Sequence, residues 1–303
     1  MNRLALVAAL MLTAAPARAQ QDFSKVKITV ERLAPGVAVL FGAGGNIGLS
    51  YGEDGNALVD DQFAPLTDKI VAAVKTVDPD PVKFVINTHW HFDHTGGNEN
   101  FGKMGTVILA HDNVRKRMST AQAMKRIKME LPASPKAALP VVTFDAGVTL
   151  HLNRDTLHVI HVRNAHTDGD SLVHWQKGDV LHMGDIFFNR TSFPFVDLDS
   201  GGSIDGVIAA VRQGLTMAGL TTKIIPGHGK VATKAEMEAY LAMLVDIRTK
   251  VHAALQAGQS REQSIAAKPA AAYSMPDNAF IKADDFVGTV YDSLKAPPSG
   301  HSH

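Results

Sequence analysis

The sequence predicts a layered α/β domain, on three observations. Short β-branched or aromatic runs alternate with longer stretches of helical periodicity. A histidine-rich segment begins where one of those runs ends, which is where loops of an α/β domain converge on a ligand. The chain's 303 residues, 45% hydrophobic and 20% charged, suffice for one large core.

Taken in order, residues 26–30 and 37–41 read as strands joined by a turn at Ala34-Pro35-Gly36. Residues 42–48 form a glycine-rich loop without the Gly-Lys-Ser/Thr ending of a phosphate-binding loop. Residues 56–61 read as a strand ending in Asp60 and Asp61. Leu66, Ile70, Val71, Val74 and Val77 then mark one helix face. Residues 82–87 and 106–110 are further strands, and Asp112 or Asn113 is a suitable cap for the helix that follows. Residues 115–130 are basic and methionine-rich. They read as a solvated helix face, with an adaptable lid over an irregular substrate as the alternative. Strands at 148–152 and 157–162 precede a hairpin pair, 172–175 and 179–183, turning at Lys177-Gly178. A helix at 204–218, a strand at 222–226 and a helix at 236–255 complete the domain. His111, His151, His158, His161, His174 and His182 are expected to be packed or surface residues.

The chemistry concentrates in Thr88-His89-Trp90-His91-Phe92-Asp93-His94, three histidines and a carboxylate within six residues. Imidazoles this close repel when protonated and leave several nitrogens to satisfy when buried neutral. A cation resolves both problems. Neutral imidazole and carboxylate suit zinc and also admit manganese, iron or nickel. On a loop, this spacing sends alternate side chains in different directions, so His89 and His91 can serve one ion while Asp93 and His94 serve a second.

This stretch resembles the signature of the metallo-β-lactamase superfamily, and further motifs of that family recur downstream over roughly residues 28 to 250. The resemblance implies an αββα sandwich with a metal site at its edge. It implies that His89, His91 and His166 hold a first metal and that Asp93, His94 and His228 hold a second. Asp185, in Met183-Gly184-Asp185, matches the carboxylate that bridges both ions in many family hydrolases. Asp60 is implied as a brace behind the metal loop, and Asn46 and Ile47 as residues near the substrate. His94 resembles the third β-lactamase subclass, whereas Asp185 is typical of lactonase-like, thioesterase-like and glyoxalase II-like relatives. The absence of cysteine sets the chain apart from the first subclass, which uses cysteine as a ligand.

Thirty acidic and thirty basic residues give no formal net charge, and nothing in that balance points to nucleic acid or an anionic membrane. Arg3, an apolar stretch over 4–15, Pro16 and the small residues Ala17 and Ala19 read as a secretory signal cleaved after Ala19. Residues 20–260 are then the catalytic domain, and 261–303 a C-terminal extension whose tail, with His301 and His303, is expected to be flexible. The expected protein is an exported, periplasmic hydrolase with two Zn²⁺ per chain, no membrane insertion after signal removal, and a small-molecule substrate. Its cleaved bond is a cyclic amide or ester, a β-lactam first, with Asp93 in proton transfer. Asn189 and Arg190 are candidate substrate contacts, Arg190 as partner for a carboxylate. A lactone or thioester hydrolase, or a non-catalytic periplasmic metal-binding protein, are the alternatives. Oligomeric state is not legible.

Overall fold

The computed structural model describes residues 22–296. The predicted signal at 1–19 and the tail histidines His301 and His303 lie outside the described residues. Strands β1 (Thr29–Ala34), β2 (Val37–Phe41), β3 (Ile47–Ser50) and β4 (Asn56–Val59) form an antiparallel run. Helix α1 (Thr67–Lys75) crosses to β5 (Val82–Ile86), which is parallel to β4. The short helices α2 (Phe92–Thr95) and α3 (Asn98–Lys103) lead to β6 (Val107–His111) and α4 (Asp112–Met118). A small hairpin, β7 (Gln122–Met124) and β8 (Met129–Leu131), precedes β9 (Val142–Phe144), the last strand of a seven-stranded sheet ordered β1-β2-β3-β4-β5-β6-β9.

A second, five-stranded sheet contains β10 (Gly147–Leu152), β11 (Asp155–His161), β12 (Ser171–Trp175), β13 (Val180–His182) and, after β14 (Phe188–Asn189) and α5 (Ile204–Met217), β15 (Lys223–Ile225). Strand β16 (His228–Gly229) pairs with β14, and the helices α6 (Lys234–Gln256), α7 (Arg261–Ala266) and α8 (Ala283–Lys295) follow. No described helix is long and apolar enough to cross a membrane.

Three apolar layers hold these elements. Val39, Val59 and Ile86 of the first sheet meet Val159, Val173 and Trp175 of the second between the sheets. On its outer face the first sheet packs Leu49, Leu58 and Val85 on Ile70 and Val74 of α1. The outer face of the second packs Leu172 and Leu181 against Val207 and Val211 of α5 and Leu244 and Ile247 of α6. Each sheet is therefore buried on both faces, and the architecture is the αββα sandwich. Near-continuous apolar runs, such as fully buried β2 through Leu40, are what a two-sided sheet demands.

Two expectations change. Residues 115–130 are not one solvated helix: α4 ends at Met118, and the chain turns into the β7–β8 hairpin, with Met118 and Met124 buried. Two of its charges are fixed: Arg117 pairs bidentately with Asp168, and Arg126 with Asp292 of α8, while Lys116, Lys125 and Lys128 are exposed. The α4 cap is His111, whose Nδ1 accepts the Asn113 N–H at 3.2 Å, a task an imidazole lone pair performs as an Asn oxygen would. Residues 261–296 add α7 and α8 to the fold; Phe286, Val287 and Val290 are buried in the core shared with α5 and α6.

Candidate metal centre

Four loop segments deliver the donors to one end of the sandwich. His89, His91, Asp93 and His94 follow β5, His166 follows β11, Asp185 follows β13, and His228 follows β15. The parallel pairing of Phe188 with His228 ties the Asp185 segment to the His228 loop. Gly227 is needed there, because a Cβ at that position would fall on Asp185 Oδ1. The glycine-rich loop between β2 and β3 clamps both sides: Gly45 N–H donates to the Asp93 carbonyl (3.0 Å), and the Asn46 amide donates to the carbonyls of Pro226 and Gly229. Asn46 and Ile47 are thus buried supports and not substrate contacts; Ala43 and Gly44 of the same loop face the cavity.

The distal nitrogens of the histidines are anchored, which fixes the nitrogen each presents inward. His91 Nε2–H donates to Asp197 (3.0 Å), His166 Nδ1–H to the Phe195 carbonyl (2.5 Å), and His94 Nδ1–H to Asp60 (2.8 Å). His89 Nδ1–H donates to the Thr88 hydroxyl (3.0 Å), which donates in turn to Asp60 (2.8 Å). Asp60, as expected, sits behind the metal loop. It holds a left-handed backbone (φ +65°) at the end of β4, from which one carboxylate also accepts the Thr88 N–H. Asp61, whose alternative reading was a solvated loop acid, is fully buried and accepts the Gly97 N–H, and burial raises its carboxyl well above the usual range.

The inward atoms form two groups. Donor atoms of His89, His91, His166 and Asp185 lie within 4.8 Å of one another, as do those of Asp93, His94 and His228. Asp185 spans them: Oδ2 is 3.7 Å from His166 Nε2, while Oδ1 is 3.0 Å from His94 Nε2 and 3.3 Å from His228 Nε2. All seven predicted ligands therefore converge.

These residues fit metal ions. His89 Nε2 is buried with no hydrogen-bond partner, and His91 Nδ1 faces His166 Nε2 at 2.8 Å although both rings already donate elsewhere. Two lone pairs that close call for a cation between them. Burial, and then the neighbouring His91, pushes His166 down to about 4; burial with His94 and His166 keeps His89 well below the ordinary imidazole value. Both offer unprotonated nitrogens at neutral pH. The other group is different. Burial opposes a cation on His228, but Asp185 and Asp93 outweigh it and hold the pKa at about 9; His94 is raised in the same way.

Over the donors opens a cavity of about 750 Å³, to which Asp93, Asp185, His91 and His228 contribute. Asn189 and Arg190 do not line it. Asn189 donates to the Lys230 carbonyl, Arg190 is exposed, and the wall at this point is Thr191 and Ser192.

A family model for the metallo-beta-lactamase superfamily matches residues 41–232, more than half the chain and every donor just described. The chain belongs to the metallo-beta-lactamase superfamily. As such it is a metal-dependent hydrolase, with a His/Asp cluster able to hold metal. Among solved structures of the same fold, a metallo-beta-lactamase from Pontibacter korlensis is 17% identical, with a TM-score of 0.59 over 73% of this chain and all of that one. The inverting sec-alkylsulfatase Pisa1 from Pseudomonas sp. is 15% identical, with a TM-score of 0.63 over 88% of this chain and 50% of that one. Comparison with curated proteins finds no match.

Sequence reasoning missed Asp197, which lies 106 positions from the His91 it orients. Met124 and Ile127 line the cavity, as the alternative reading of 115–130 as a lid anticipated from its methionines; Phe280, which also lines it, had no signal in the sequence.

Proposed function

We propose that this superfamily member is an exported hydrolase of carboxylic esters, lactones or thioesters, holding two zinc ions on the seven donors. The observation that carries the reading is Asp185, whose two oxygens face the two donor groups. Two ions so placed supply Lewis acidity, acidifying a water and polarising a carbonyl. The chain's own residues do the rest. Asp93 opens on the cavity with Oδ2 3.4 Å from His228 Nε2, so it can orient the attacking water and take its proton while His228 holds the carboxylate in place. Asp60, Asp197 and the Phe195 carbonyl keep the imidazoles in fixed tautomers.

Arg190, the candidate partner for a substrate carboxylate, is exposed and does not line the cavity. A β-lactam would therefore find no guanidinium there for its carboxylate, whereas the ester reading needs none. The export signal supports a periplasmic site of action, where cleavage at Ala19 would be read by mass spectrometry of the secreted protein. The test of function is a steady-state panel on the zinc-loaded mature protein: an aryl ester, a lactone, a thioester, a chromogenic cephalosporin and a secondary alkyl sulfate. Metal-dependent turnover of carboxylic esters above the others supports the proposal. Turnover of the cephalosporin or the sulfate alone would refute it, and no turnover at all would leave a metal-binding protein without hydrolase function.

A further inference from the structure

We infer that the substrate's acyl arm is uncharged and apolar along its length, and seats between the β7–β8 hairpin and the 276–280 loop. The cavity walls carry the argument. Phe63 and Phe92 form one side, with ring centroids 5.8 Å apart, and Phe188 and Phe195 stand against His228 and His91. Ile127 from the hairpin and Phe280 from the C-terminal loop complete the enclosure. Among the described residues that line it, none is Lys or Arg, and the acids Asp93 and Asp185 both belong to the donor groups.

The neighbouring cations stand off the cavity wall. Arg126 is tied to Asp292, which Arg261 also holds, while Arg190 and Lys230 are exposed outside the cavity. A carboxylate at the far end of an acyl arm would leave water for an aromatic wall with no cation to receive it, a costly transfer. An alkyl or aryl arm gains from the same wall. Phe280 sharpens the point. It is 63% exposed, its ring 6.0 Å from that of Phe195, and this large apolar side chain stands at the rim in contact with nothing that hides it. The hairpin is held over the cavity by two anchors, Arg126 on Asp292 and the Lys125 N–H on Asp199 (2.8 Å), so the enclosure is built into the fold.

The inference deepens the ester-hydrolase reading and rests on it for the reacting carbonyl, but its apolar wall can be tested without turnover. In one arm, the neutral fluorophore N-phenyl-1-naphthylamine is bound to the zinc-loaded protein and displaced by decanamide or by 10-sulfodecanamide, which differs by a distal sulfonate, an anion that is a poor zinc ligand. Decanamide should displace the probe at a concentration at least about tenfold lower. In the other arm, p-nitrophenyl esters of increasing length should gain about threefold to fourfold in kcat/KM per methylene until the cavity is filled. Phe280→Lys, at an exposed position that does not threaten folding, should bring the two amides to within about threefold of each other. Equal displacement by both in the native protein, or no probe binding, overturns the inference. Probe discrimination with no ester hydrolysed would retain the apolar wall and remove the hydrolase reading; hydrolysis indifferent to chain length would do the reverse.

Discussion

His89, His91 and His166 are buried imidazoles, of which His91 alone borders the cavity, each anchored through its other nitrogen to a neutral or acidic acceptor. Asp93, His94 and His228 instead mix a carboxylate with imidazoles, and Asp93 and His228 open on the cavity with side chains 21% and 24% exposed. Both groups share Asp185. The difference separates two tasks that the donors of one site can divide. In the closed group His89 and His166 present neutral nitrogens, whereas in the open group His94 and His228 are paired with Asp93 and Asp185 and hold protons where a metal would sit. An ion enters the first by filling an electrostatic deficit and enters the second by exchange with protons.

The largest effect expected from this contrast is on catalysis. Asp93→Ala removes the proton acceptor that faces the cavity and should lower kcat by about 10²–10⁴-fold, with the closed group's ion retained in elemental analysis. Loss of both ions, or unchanged kcat, would break the division of tasks. Next come the residues behind the ligands. Asp197→Ala frees His91 as well as the Ser200 N–H it caps, and should weaken the closed group's ion by about 10–100-fold, measured by competition with a chromophoric chelator. Asp60→Asn touches His94 directly and His89 through Thr88, so it should weaken both ions.

A pH titration sharpens the comparison further. His228 (about 9) and raised His94 hold protons at neutral pH, so binding an ion there must release them, and its apparent affinity falls as pH drops below about 9. His166 (about 4) and lowered His89 are already deprotonated at neutral pH, so an ion binding to them displaces no proton from either ring. Calorimetry in buffers of different ionisation enthalpy reads this as fewer protons released with the closed group's ion than with the open group's. Equal release for both would contradict it. The smallest effect lies away from the donors: Thr233→Ala breaks the capping box with Glu236 at the start of α6 and should cost about 1 kcal/mol in denaturant unfolding, with metal content unchanged.

The donors at 89–94 were legible in the sequence because they crowd together, while His166, Asp185 and His228, each following a strand, were legible only through the family resemblance. A layered α/β domain was legible from spacing, in runs such as 37–41 and the periodic faces of α1 and α6, but its αββα arrangement came from the resemblance. What stayed hidden depends on tertiary contact. Nothing near Asp197 marks it as the partner of His91. The charges of 115–130 suggested a solvated helix because their partners, Asp168 and Asp292, are distant in the chain. Asn189 and Arg190 follow the Asp185 segment in sequence, yet the β14–β16 pairing carries them past the cavity mouth.

The central claim is that one chain holds two ions on chemically distinct donor groups. Anomalous diffraction at the zinc edge, on crystals of the mature protein truncated before His301, tests it most directly. Two peaks are expected, one among His89, His91 and His166 and one among Asp93, His94 and His228, with Asp185 between them. A single peak shared by both groups, or none, would contradict the account.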